Sequence, residues 1–152
     1  MNYRKIEVNE NEAPILTQIA KWHNFTPKQW MPKYKPTNDD IEATITQINK
    51  TAKEDLFIAI AEDNQQQIQG FIWAYKQDKP QDSVMILSLY VTTQYRKCGV
   101  ATKLKTLLEE WCKQKAVKSI QTTVHYTNNK MIELNKKLGY APGMVYMTKK
   151  IE

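Results

Sequence analysis

The sequence predicts a mixed α/β fold, one sheet with helices packed against it. Three observations carry that prediction. Apolar runs of strand length stand at residues 56–61 (LFIAIA), 68–75 (IQGFIWAY) and 84–91 (VMILSLYV). The third is apolar almost throughout, as a central strand covered on both faces requires. Longer stretches repeat apolar residues every three or four positions, the period of a helix with one buried face. From residue 84 onward the two patterns alternate, which places helices on a sheet.

The elements follow in order. Residues 3–8 read as a first strand, and residues 12–23 as a helix with Ile15, Leu16, Ile19 and Ala20 on one face. The stretch NFTPKQWMPKYKPT is rich in proline and aromatics and predicts irregular chain. TNDD supplies N-caps for a second helix carrying Ile41, Ile45 and Ile48. Residues 56–61 and 68–75, separated by EDNQQQ, predict a hairpin. After the strand at 84–91 comes a helix with Val100, Ala101, Leu104, Leu107, Leu108, Trp111 and Cys112 in one stripe. SIQTTVH alternates as a fifth strand. Thr127 or Asn128 can cap a helix with Met131, Leu134 and Leu138, and Gly139 is placed to end it. MVYMTKKI predicts a last strand. The reading therefore has six strands and four helices in one domain spanning residues 1–152.

Composition narrows the function. Hydrophobic residues are 41% and charged residues 25% of the chain, and the net charge of +6 favours an anionic ligand without choosing one. The lysines are dispersed rather than striped with aromatics, which ranks nucleic acid last. The cysteines, Cys98 and Cys112, have neither CxxC spacing nor histidine neighbours, so no metal and no disulfide framework is expected. With no apolar leader at its start and no run long enough to cross a membrane, the chain is expected to be cytoplasmic.

The chemistry concentrates at LYVTTQYRKCGVATKLKTLLEEW. A helix N-terminus carries unpaired N–H groups and about half a positive charge. Gly99 allows backbone to approach an anion closely, Ala101 adds little bulk, and Arg96 and Lys97 precede it. A plain strand-to-helix turn is the bland reading. A P-loop needs a second glycine and a dinucleotide fingerprint needs GxGxxG; both are absent. RKCGVA does fit R/Q-x-x-G-x-G/A, and this segment together with TTVHYTNNKMIELNKKLGY resembles the two conserved segments of the GNAT-type N-acetyltransferase superfamily.

That resemblance implies a mixed sheet of six to seven strands, flanked by about four helices, whose fourth and fifth strands splay apart to receive acetyl-CoA. By position, main-chain groups of Leu89, Tyr90 and Val91 would pair with the pantetheine arm. The loop from Arg96 through Lys97, Cys98, Gly99, Val100 and Ala101 to Thr102 would hold the diphosphate. Asn128, Met131 and Asn135 would face the coenzyme from the other side. The implied reaction is direct acetyl transfer to a primary amine, of a small molecule or a protein, in a ternary complex. Family likeness also allows a homodimer.

The chain departs from the family where acid–base chemistry is usual. The strand position that often carries a carboxylate holds Leu87 and Ser88, and the helix position that often carries tyrosine holds Asn135. His125, Tyr126 and Ser88 are the substitute candidates, a water chain is another, and binding acyl-CoA without turnover is the alternative function. Trp22, Trp30, Tyr34 and Trp73 are expected to wall the acceptor pocket, with a hydrophobic mini-core as the competing reading.

Overall fold

The computed structural model describes residues 1–151. Its sheet has five strands, β1 (Asn2–Lys5), β2 (Leu56–Glu62), β3 (Ile68–Gln77), β4 (Ser83–Val91) and β5 (Ser119–Thr122), in that spatial order. The first four are antiparallel neighbours; β5 runs parallel to β4. The helices are α1 (Ala13–Phe25), α2 (Asn38–Lys50), α3 (Val100–Gln114) and α4 (Asn129–Lys137).

Both sheet faces are covered, so the alternation along each strand fills two cores. On one face Phe57, Ala59, Ile72, Ala74 and Ile86 meet the α3 stripe of Val100, Leu104, Leu108 and Trp111. On the other, Ile58, Ile60, Phe71 and Trp73 meet Leu16 and Ile19 of α1 and Ile48 of α2. The helix ends are chemically specified. Thr37 accepts from the Asp40 amide while the Asp40 carboxylate accepts from the Thr37 amide, a reciprocal cap on α2. The Asn128 side chain accepts from the Met131 amide to open α4, and Gly139, at φ +95°, follows its end. Buried Asn24 donates to Thr44 at 2.8 Å and ties α1 to α2.

Two expectations are corrected. The sheet has five strands, not six or seven, because residues 144–151 form no strand: Met144, Tyr146 and Met147 are exposed and the segment has no ladder partner. An alternating pattern becomes a strand only when an edge pairs with it. The fifth strand is also shorter than residues 119–125, ending at Thr122 where its pairing with β4 stops. That early end positions the site.

Candidate active site

The β4–β5 ladder runs from Ser83 opposite Ser119 to Ile86 opposite Thr122 and goes no further. β4 continues to Val91, so from Leu87 onward its edge toward β5 has no strand partner. On its other edge β4 has a bulge: Ser88 faces Trp73 and Ile86 faces Ala74, leaving Leu87 as the extra residue. A gap thus opens between the strands just where the backbone of β4 is re-aimed.

The gap is a cavity of about 210 Å³. Residues 86–89 of β4 form one wall, and residues 122–125 form the other. Asn128, Met131 and Asn135 close it from α4, His23 and Trp30 from the α1 side, and Lys105 from α3. Among the described residues no carboxylate lines it.

At the end of β4 the chain turns into α3. Lys97 (φ +63°) and Gly99 (φ +81°) both adopt left-handed backbone, an arrangement that gathers successive amides into an anion-binding concavity. Lys103 donates to the Gly99 carbonyl at 3.0 Å; the α3 amides before it have no intrahelical acceptor. A Cβ on Gly99 would meet nothing within 4 Å, so the space above it is open for a ligand. Arg96 acts as a strut: its Nε donates to the Val91 carbonyl at 2.9 Å and its guanidinium lies over the Tyr90 ring. Cys98 is exposed.

The candidate catalytic groups separate. Ser88 and His125 line the cavity. His125 is stacked between Trp30 (5.0 Å) and Tyr126 (4.9 Å), and its Nδ1 accepts from the Thr127 amide at 3.3 Å. Its proton in the neutral form therefore sits on Nε2. Tyr126 is 77% exposed and does not line the cavity. Two further titratable groups line the cavity: His23, which sequence reasoning puts at the acceptor side without a proton-carrying role, and Lys105, which it does not single out. Burial pushes the His23 imidazole, edge-on to Trp73 at 5.1 Å, below its ordinary pKa. Lys105 is buried, and desolvation pulls its ammonium down to about 8, with Glu109 partly opposing.

The expected acceptor wall is only partly there. Trp30 lines the cavity. Trp73 is buried in the sheet core with its Nε1 unpartnered. Trp22 stacks on Phe71 and leans on Tyr90 at 4.9 Å, so it serves the mini-core. Tyr34 bonds through its amide to the Met31 carbonyl and lies outside the cavity lining.

The acetyltransferase (GNAT) family matches residues 16–140. The chain belongs to that family. A GNAT family acetyltransferase structure from Staphylococcus aureus is 31% identical, with a TM-score of 0.67, covering 81% of this chain and 100% of that one. The aminoglycoside N-acetyltransferase AAC(6')-Iy, solved with a CoA-linked bisubstrate analogue, has a TM-score of 0.70 at 18% identity, covering 99% and 100%. An aminoglycoside acetyltransferase from an uncultured soil sample also scores 0.70 at 18% identity, with both chains fully covered. No curated protein matches by sequence. GNAT members take acetyl-CoA as cosubstrate, and the residues here fit it. The cradle at Gly99 suits a diphosphate, the free β4 edge suits an arm with amide groups, and the buried Asn135 Oδ1 has no partner among the described residues. Among the described residues no cluster could hold a metal ion, and no helix is long and apolar enough to cross a membrane.

Proposed function

We propose that residues 1–152 act as one cytoplasmic N-acetyltransferase domain that moves an acetyl group from acetyl-CoA to a primary amine. The observation that carries this reading is the continuity of the free β4 edge, Leu87 to Val91, with the amide cradle at Gly99. Backbone amides of Lys97 to Thr102 hold the diphosphate. Main-chain groups of Leu89 pair with the pantetheine arm as an added strand would; those of Tyr90, which the resemblance also put there, face β3, where Tyr90 lies opposite Phe71. Val91 contributes only its amide, because its carbonyl is occupied by Arg96. Asn128 both caps α4 and faces the arm; Met131 packs along it.

The reaction needs a neutral amine, yet an amine like that of lysine has a pKa of about 10.4 and arrives protonated. A base must take that proton. His23 suits this part, since burial keeps its imidazole neutral and no hydrogen bond occupies its ring. His125, with Nδ1 bonded, suits donation from Nε2 to the acceptor. Ser88 can position a water. Backbone N–H groups at the Leu87 bulge stabilise charge on the thioester oxygen.

The acceptor end holds Trp30, Thr26, Pro27 and His23 and, among the described residues, no carboxylate. The two structural relatives that act on aminoglycosides share the fold at 18% identity. A carboxylate-free pocket favours an amine with few charges and an apolar body over a polycation. The test is release of free thiol from acetyl-CoA across a panel of amines spanning aryl-alkylamines, polyamines and aminoglycosides. Turnover on none, with tight CoA binding retained, would replace this reading by a non-catalytic acyl-CoA-binding module.

A further inference from the structure

Lys105 lies on α3 about one and a half turns beyond the Gly99 cradle. It is 3% exposed, yet among the described residues it takes part in no ion pair. Its ammonium stands 4.7 Å from the centroid of the Tyr140 ring. It lines the same cavity as Leu87, Ser88 and Asn135, at the bulge where β4 and β5 part. A buried charge without an anion is costly, and stays only where something compensates it. The protein supplies a ring face and a distant Glu109; the missing partner is what enters the cavity.

We propose that Lys105 donates the proton to the departing thiolate, the part left vacant where this chain carries Asn135. The proposal rests on the acetyl-transfer reading above. As the amine nitrogen bonds the acetyl carbon, the carbon–sulfur bond breaks and sulfur keeps its electron pair. An Nζ–H bond of Lys105 breaks, its pair stays on nitrogen, and the proton bonds sulfur. The amine, made neutral by the base before attack, gives up a second nitrogen proton to water as the amide forms, so the products are amide and thiol. Lys105, left neutral, takes a proton from water after release. Asn135 orients the sulfur, but as an amide cannot serve as the acid.

The neighbouring groups leave this part to Lys105. On the same helix, burial raises the Cys112 thiol to about 11; beyond α4 it raises the Tyr140 hydroxyl to about 12, too high to give protons readily. His23, from α1, is held neutral to serve as the base, and His125, after β5, with Nδ1 on Thr127, is the group assigned above to donate from Nε2 to the acceptor rather than to sulfur. Glu109, on α3, draws Lys105 back toward the charged form. Lys105 at about 8 is close to the roughly 8.5 of an alkyl thiol, so transfer between them is nearly balanced.

The test uses the ultraviolet absorbance of thiolate in bound CoA, titrated in the wild type, Lys105→Met and Lys105→Arg. Lys105 beside the sulfur should make bound CoA ionise at lower pH than free CoA. Lys105→Met should abolish that shift, with CoA affinity changed less than threefold at about pH 6, where the thiol is neutral both free and bound. Lys105→Arg should keep the shift, because the charge remains, but turnover in both variants should fall by about a hundredfold, since arginine does not release its proton. A bound thiol that titrates like the free one in the wild type overturns the proposal without any variant. Restored turnover in Lys105→Arg overturns it as well, showing a role for charge alone. Failure of the wild type to bind CoA would instead overturn the acetyl-transfer reading.

Discussion

Substituting Gly99 separates what the loop needs for folding from what it needs for the ligand. At φ +81° an alanine suffers left-handed strain, but its Cβ meets nothing within 4 Å. The cost to the fold is therefore the backbone term alone, about 1–2 kcal/mol. For a chain of this length that is a Tm lower by roughly 2–8 °C. Gly99→Glu suffers the same strain and adds a carboxylate above the cradle. At about 6 Å from a diphosphate and an effective dielectric of about 20, repulsion is about 3 kcal/mol, or roughly a hundredfold in Kd. Calorimetric titration with CoA should show that gap between the two variants, and it should narrow at about 1 M salt, where the screening length is about 3 Å. Pantetheine lacks the diphosphate and should bind both variants equally. If Gly99→Glu binds CoA as tightly as Gly99→Ala, or loses pantetheine as severely as CoA, the diphosphate does not sit at this helix start.

Other outcomes follow from the same geometry. Lys105→Met should stabilise the free protein at pH 7. The ammonium is depressed from 10.5 to about 8 on folding, so the wild type forgoes on the order of 3 kcal/mol below pH 8; the variant's advantage should shrink as pH rises from 8 to 10.5, read by urea denaturation. His23 is depressed below its ordinary 6.5, so stability is present above pH 6.5 and declines as pH falls below it; His23→Gln should flatten that decline and lower kcat by a hundredfold or more. A kcat–pH profile whose acid limb is unchanged in His23→Gln would remove His23 as the base. Thr37→Ala breaks the reciprocal cap on α2 and should cost about 1 kcal/mol, a Tm drop of roughly 2–4 °C with CoA affinity unchanged.

What the sequence made legible was local. Gly99, the apolar run before it and the α3 stripe after it are contiguous, and each obeys a rule of backbone or periodicity. The caps at Thr37 and Asn128 are equally local. Trp73 was misplaced because β3 is covered on both faces, so alternation does not say which residues face a pocket and which face a core. The tail from Met144 to Ile151 carries a strand's pattern, but a strand also needs an edge, and that is a property of the partner. Lys105 is the sharpest case. On a helical wheel it flanks the stripe of Leu104 and Leu108 and reads as a snorkelling lysine at the rim. Its burial is set by the fold, where the ring of Tyr140 returns to within 4.7 Å of its ammonium.

That contrast explains why the missing carboxylate and tyrosine are a weaker argument against turnover than the sequence alone made them. A carboxylate on β4 or a tyrosine on α4 can be read from its place in a motif. A proton carrier made by burial cannot, because burial is decided by β4, β5, α1, α3 and α4 converging on one gap. The same gap brings an unpaired buried ammonium, a desolvated imidazole and an unpartnered Asn135 oxygen to one cavity. A surface that only gripped a coenzyme would gain nothing from the first two, since each destabilises the free fold at some pH. Retaining both at a cost in stability is what a site matched to proton transfer requires.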